Sequence, residues 1–300
     1  MTPLFLCETL SKKASCPLYL KCEQFQRGGS FKLRGAYTKM SSHLEEARTN
    51  GVVAYSSGNH AQGVALAALM LGVSATIFMP EDAPRVKVDA VHTYGAAIHF
   101  VGTTSEEREE AARAHADETG ALVIPPFDDF HIIAGQGTVG IEVLEQCPDV
   151  ERIVVPVGGG GLISGVSIAV KASAPSVEVV GVEPELANAM SMSLHKGAIT
   201  DVSPGPTIAD GLKPTRPGEL TFQAVRTHVD RMVTVSEEQI REATLDVLQR
   251  AKLVVEPSGA ATVAACHTSL LEDGKTTVAI ISGGNIDFAS FFCTRTISGQ

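Results

Sequence analysis

The sequence predicts an α/β protein of two doubly wound domains with mainly parallel sheets, and three observations carry that prediction. Short runs that are apolar on nearly every residue recur along the chain, helical patterns stand between them, and glycine-rich segments follow several of the runs. A strand that is apolar on both sides needs cover on both sides, as in a parallel sheet held between helices. A length of 300 residues fits about two domains.

The predicted strands are GVVAYSS (51–57), SATIFMP (74–80), AAIHFVG (96–102), ALVIPPF (121–127), RIVVPVG (152–158), EVVGVEP (178–184) and TTVAIISGG (276–284). Helical patterns fall over 60–71, 106–119, 137–146, 162–173 and 237–252. The last is the clearest: Ser236 and Gln239 form a capping box, and Ile240, Ala243, Val247, Leu248 and Ala251 recur at helical spacing. Pro204, Pro206, Pro214 and Pro217 mark a long structured loop. The first four strands suggest a small α/β domain over 46–129. Segments 1–45 and 130–300 then make a large domain, with a ligand between the two.

Charge and composition remove several classes of function. The balance of 24 basic against 34 acidic residues, net −10, argues against general affinity for nucleic acid or an anionic membrane. The longest apolar stretch, 64–80, carries Gly72, Ser74 and Thr76 and reads as a buried helix followed by a buried strand rather than a membrane span. Six cysteines (7, 16, 22, 147, 266 and 293) show no C-x-x-C or zinc-ligand spacing, so they are expected as reduced thiols. MTPLFLCETL lacks the features of a signal peptide, which makes a cytoplasmic enzyme the expectation.

Four segments carry chemistry: GGSFKLRGA (28–36), SSGNHAQG (56–63), VGGGGLISG (157–165) and SGGN (282–285). Gly158, Gly159, Gly160 and Gly161 follow an apolar strand and precede a helix near Leu162. Backbone N–H groups free of Cβ atoms can converge there on one anion, helped by the positive end of the helix. A plain tight turn would need fewer glycines. The P-loop pattern fails for want of a following Lys-Ser/Thr, and G-x-G-x-x-G ends on Ile163 or Ser164. Glu183, about 20 residues on, stands where a ribose-binding acid belongs, so a nicotinamide-dependent oxidoreductase remains a rival.

Lys32, between Phe31 and Leu33, has an apolar setting that would favour a neutral, nucleophilic amine of the kind that forms a Schiff base. Ser56, Ser57, Asn59 and His60 open a helix and offer hydroxyls, an amide and free N–H groups to a carboxylate, or serve simply as a cap. Ser282 offers a hydroxyl beside two glycines, where a flat ring edge could approach, or merely ends a strand.

In this order, SFKLRGA, SSGNHAQG, AGQGT (134–138), VGGGGL, TIADG (207–211), VEPSGA (255–260) and SGGN resemble the fold-type II pyridoxal-phosphate (PLP) enzymes, a tryptophan synthase β-like fold, and within them the threonine/serine ammonia-lyases and serine racemases. The resemblance runs over nearly the whole chain. It implies that Lys32 carries pyridoxal 5'-phosphate and moves protons on one face of the substrate α-carbon. It further implies that Phe31 packs on the ring, Asn59 bonds its 3-hydroxyl, Gly158 to Leu162 hold its phosphate and Ser282 meets its nitrogen. Ser56, Ser57, Asn59, His60 and Gly211 line the substrate site.

The implied reaction is elimination of water and then ammonia from L-threonine or L-serine, by a homodimer or homotetramer. Ser57 matches the serine that racemases of this family place opposite the lysine, so racemase activity is an alternative, as is a hydroxyaspartate dehydratase. Against the racemases' metal site, Glu183 matches one carboxylate and Ala187 a carbonyl, while Ala189 replaces the second carboxylate. Glu183 is therefore the only metal-ligand candidate, and it also reads as a satisfied strand-end acid. The short stretch after SGGN leads to the expectation that no C-terminal regulatory domain follows.

Overall fold

The structure, a computed structural model, describes residues 1–83 and 85–293. Its strands are β1 (Leu4–Leu6), β2 (Leu18–Cys22), β3 (Val52–Tyr55), β4 (Ala75–Met79), β5 (Ala97–Phe100), β6 (Leu122–Val123), β7 (Arg152–Pro156), β8 (Glu178–Pro184), β9 (Arg231–Val235) and β10 (Thr277–Ile281). They form a four-stranded sheet, β5-β4-β3-β6, and a six-stranded sheet, β1-β2-β10-β7-β8-β9. Every pairing is parallel except β1 on β2. The sequence explains why: β7 and β10 are buried at every residue, so helices must cover both faces of the large sheet.

Three strands escaped the sequence reading, and β2 shows the reason. Its Lys21 interrupts an apolar run, yet the side chain is wholly buried. The ammonium donates to Thr2 O (2.9 Å), Glu142 Oε2 (2.5 Å) and Gln146 Oε1 (2.7 Å), so the charge is paired inside the fold. The strand expected over 121–127 shrinks to Leu122–Val123, because Pro125 and Pro126 have no N–H to give a ladder. The helix expected over 237–252 is α-helical only for Glu237–Asp246; a π-helical turn, Val247–Ala251, completes it before Lys252 turns left-handed at φ 59°.

Three helices bring the sheets together. The helix Lys32–Ser42 packs against both Asn59–Leu71 and Phe130–Gln146, through a core that includes Leu33, Ala36, Met40, Val64 and Ile132. The approach to Phe130–Gln146 is backbone to backbone: a Cβ on Gly135 would lie 2.6 Å from Arg34 O. Arg34 locks the same crossing, its guanidinium meeting Glu23 (2.8 Å) and Glu142 (2.7 Å) in a mostly buried cluster. Lys32, at the head of this helix, is thereby held in place from behind.

Cys7, Cys16, Cys22, Cys147 and Cys266 are unpaired thiols, and the side chain of Cys293 lies outside those described. Among the described residues no helix is long and apolar enough to cross a membrane.

Candidate active site

The segments singled out in the sequence meet at one cavity of about 1030 Å³. It opens at the carboxyl ends of β3, β7 and β10, whose following turns are Ser56–Asn59, Gly158–Gly161 and Ser282–Asn285. All the predicted contact residues line it: Phe31, Lys32, Ser56, Ser57, Asn59, His60, Gly158, Gly159, Gly160, Gly161, Leu162, Gly211 and Ser282. Glu183 does not.

Lys32 stands at the first position of its helix. Its Nζ lies 5.3 Å from the centre of the Phe31 ring and donates to Pro126 O at 2.6 Å. One side faces the cavity and protein surrounds the rest; the resulting desolvation pushes the amine down to about 8. An amine tuned this way is far more often neutral than a surface lysine, as an attacking nitrogen must be.

Backbone bonds hold the neighbouring segments in register. Phe31 N donates to Ser282 O (3.1 Å) and Gly284 N to Gly29 O (3.0 Å). Asn285 Nδ2 reaches both Gly28 O (2.9 Å) and Asn59 Oδ1 (2.8 Å). Asn59 in turn donates from Nδ2 to Glu256 Oε1 at 2.6 Å. Glu256 is buried, and desolvation reinforced by the charge of Asp210 raises its carboxyl to about 8. The Ser282 hydroxyl has no partner among the described residues.

His60 is set differently from its neighbours. Only 4 % exposed, it bonds Ile124 O through Nε2 at 2.8 Å, which fixes the neutral tautomer with that nitrogen protonated. Burial, and then the charge of Lys32, push it down to about 3. The ring ties the residue that follows β6 to the helix Asn59–Leu71.

On the far wall, Gly160 turns left-handed at φ 95° and the helix Gly161–Ser173 begins. The loop has no room for side chains behind it. A Cβ on Gly159 would lie 2.2 Å from the Phe127 ring, and one on Gly160 would lie 2.7 Å from Met190 Cε. This is the packing of a cradle whose N–H groups are its only working surface, and it fits a phosphate. A buried amine opposite, an apolar ring beside it and an unpartnered hydroxyl complete a set that fits a pyridine aldehyde phosphate.

A family profile described as pyridoxal-phosphate dependent enzyme matches residues 1–283. The chain belongs to that family. Within its fold-type II architecture it is of the threonine/serine dehydratase and serine racemase group, whose cofactor is PLP. It is 49 % identical over 286 residues to an L-threonine ammonia-lyase of Thermotoga maritima, an alignment covering 95 % of this chain and 71 % of that one. Among solved structures it resembles the processed form of threonine deaminase isoform 2 from Solanum lycopersicum (TM-score 0.94, 40 % identity, covering 100 % and 88 % of the two chains). It also resembles maize serine racemase (TM-score 0.93, 38 % identity, 98 % and 91 % covered).

Membership of this PLP family displaces the nicotinamide alternative, and Glu183 shows why its position misled. The side chain is 1 % exposed and caps the helix Ala189–Lys196. Oε1 accepts from Met190 N (2.8 Å), while Oε2 accepts from Ser191 N (2.9 Å) and Ser191 Oγ (2.5 Å). Its oxygens are taken up by the helix start. Among the described residues no cluster of three or more His, Cys, Asp or Glu could hold a metal.

The sequence reading missed the loop after β6 altogether. Pro126 accepts the lysine, Phe127 fills the back of the glycine turn, and Asp128 bonds the helix Glu219–His228. Asp129, next along, caps the helix Phe130–Gln146 through His131 N and Ile132 N; that cap was legible as an Asp before a helical run. Lys87 and Asp210, joined at 2.7 Å across the mouth of the cavity, were also unforeseen.

Proposed function

We propose that this enzyme eliminates water and then ammonia from L-threonine or L-serine, leaving the 2-oxo acid. The observation that carries the reading is the juxtaposition of a desolvated Lys32 amine, an unpartnered Ser282 hydroxyl and the glycine cradle in one cavity. The threonine ammonia-lyases and deaminases among its relatives support the choice of substrate.

Lys32 would hold the cofactor covalently, with Phe31 against its ring, Asn59 at its 3-hydroxyl, Ser282 at its ring nitrogen and Gly158 to Leu162 around its phosphate. When bound, PLP supplies an electron sink for charge developing at the substrate α-carbon. Lys32 Nζ is the group that would take the α-proton; burial lowers its proton affinity to about 8, so a far larger share is in the base form near neutral pH than for a surface lysine. The turn at Ser56, Ser57 and Asn59 receives the substrate carboxylate, helped by the positive end of the helix Asn59–Leu71. Ser282, a neutral hydroxyl, donates to the ring without adding a formal charge. Gly211 lines the substrate pocket, its N–H held by Ser258 Oγ at 2.9 Å.

We assign the substrate loop, with Asn59, to the smaller unit, 46–129, and the other cofactor contacts to 1–45 with 130–300. The enzyme is read as a cytoplasmic homodimer or homotetramer. A second reading, amino-acid racemisation, is favoured by the Ser57 hydroxyl on the cavity wall.

The test incubates purified protein and PLP with L-threonine, L-serine and L-threo-3-hydroxyaspartate in turn, assaying 2-oxo acid and D-amino acid together. Lyase activity is expected on the first two, and Lys32→Ala should lower it by about a thousandfold or more. D-amino acid in excess of oxo acid would move the assignment to racemase. Exclusive turnover of hydroxyaspartate would move it to that dehydratase.

A further inference from the structure

The helix Glu219–His228 begins without a capping side chain at its N-cap: that residue is Gly218, with ordinary extended backbone at φ −77°, and the helix itself supplies only Thr221 Oγ1, which accepts from Gly218 N at 3.0 Å. The missing carboxylate comes from Asp128, 90 residues earlier. Asp128 Oδ1 accepts from Leu220 N (3.0 Å) and Thr221 N (3.1 Å), and Oδ2 from Glu219 N (3.0 Å). The substitution is spatially close: a Cβ on Gly218 would lie 2.1 Å from the Asp128 carboxyl carbon. Asp128 thus occupies the place of an N-cap side chain and bonds the three N–H groups that such a start leaves orphaned.

The helix so fixed carries Thr221, which is fully buried. Thr221 Oγ1 donates to Gly159 O at 2.7 Å, and its Cβ stands 2.9 Å from where a Gly160 Cβ would be. A peptide unit is planar and trans, so pinning the Gly159 carbonyl also fixes the Gly160 N–H, aimed away from Thr221. The residue before Asp128 supports the same loop, since the Phe127 ring fills the space behind Gly159 and its Cβ and backbone the space behind Gly161.

We propose that Asp128 is a positioning residue for the phosphate cradle: it caps the helix Glu219–His228 in trans and, through Thr221, sets the direction of the glycine-loop amides. The proposal rests on the reading of Gly158 to Leu162 as the phosphate site. Asp128 touches neither cofactor nor substrate in this role, and its effect falls on recognition of the phosphate rather than on the chemistry at Lys32.

The test compares two ligands that share the aldehyde and differ by the phosphate. Equilibrium dialysis of the full-length protein gives dissociation constants for PLP and for pyridoxal, with melting temperature followed in parallel. In Asp128→Ala, PLP affinity should fall about tenfold while pyridoxal affinity stays within about twofold. Exchanging the two positions, Asp128→Gly with Gly218→Asp, returns the cap to the helix itself and should restore PLP affinity to within about threefold of wild type. Should Asp128→Ala fail to fold, Thr221→Val removes only the hydroxyl and should show the same phosphate-selective loss.

Equal weakening of PLP and pyridoxal would make Asp128 a purely structural cap and overturn the proposal. An exchange variant that regains its melting temperature but not its preference for PLP would do the same. Wild-type protein that binds the two ligands equally would sink the phosphate reading of the glycine loop, and the proposal with it. A wild-type preference that survives both single substitutions would leave that loop reading intact and refute the part given to Asp128.

Discussion

Two strand-to-helix turns face each other across the cavity, and they are built in opposite ways. The turn after β7 is packed solid: side chains from Phe127, Met190 and Thr221 occupy the space behind Gly159, Gly160 and Gly161. The turn after β3 is open, with nothing within 4 Å of where a Cβ would sit on Gly58 and with Ser56, Ser57 and Asn59 all partly exposed. The first is filled from behind by side chains, as suits a phosphate that stays with the enzyme. The second keeps free volume, as suits a carboxylate that arrives and leaves with every turnover. Preorganisation is therefore concentrated on the cofactor side of the site.

The largest effect that would break this contrast comes from Gly159→Ala. The methyl would meet the Phe127 ring, and Phe127 belongs to the same loop as Pro126 and Asp128, so relief requires moving the lysine's hydrogen-bond acceptor or the cradle. Overpacking of this kind costs about 1–3 kcal/mol. We expect a lower melting temperature together with PLP affinity weakened by about tenfold or more. Unchanged PLP affinity, measured by dialysis, would mean that the packed turn is only a packed turn.

A smaller effect concerns Glu256, the buried acid under Asn59 at the base of the open turn. Its carboxyl is raised to about 8 from an unfolded value of 4.5, mainly by burial and then by Asp210. The folded state therefore binds a proton that the unfolded chain releases. Stability from this group is complete below about 4.5, declines as pH rises toward about 8, and is level above that. Glu256→Gln keeps the neutral shape and removes the titration. Its melting temperature should match wild type near pH 4.5 and exceed it progressively up to about pH 8, with little change in activity at pH 6. A constant offset between the two melting curves across that range would show that Glu256 titrates alike in the folded and unfolded protein, and its raised pKa would be refuted.

The sequence made the parallel α/β architecture legible because that architecture depends on local signals. Runs such as RIVVPVG and TTVAIISGG declare strands buried on both faces, and glycine or serine at their ends declares the turns. The residues of those turns that line the cavity were legible for the same reason, Lys32 excepted. Lys32 alone reads as a surface lysine, and its meaning came from the company of the other motifs. What stayed hidden depends on partners distant in sequence: Asp128 caps a helix 90 residues away, and Lys21 is buried because Glu142 and Gln146 receive it. Glu183 misled by the converse route. A strand-end acid at the spacing of a ribose ligand is equally suited to the start of the next helix, and only the positions of the Met190 and Ser191 amides distinguish the two.

The smallest effect is the sharpest discriminator, and it belongs to Gly58. Its backbone is not left-handed (φ −123°), so a side chain there is not barred by the torsion that reserves Gly160 for glycine. Alanine in Gly58→Ala would place its methyl in open space on the cavity wall, and a change from glycine to alanine at an N-cap costs under about 1 kcal/mol. The cofactor side should not register it: PLP affinity and melting temperature stay near wild type. The methyl instead narrows the entrance used by the substrate carboxylate, and we expect KM for the amino acid to rise by about two- to fivefold with kcat nearly unchanged. If Gly58→Ala instead lost PLP as readily as Gly159→Ala, the two turns would be one cooperative unit, and the division between a fixed cofactor wall and an adjustable substrate wall would fail.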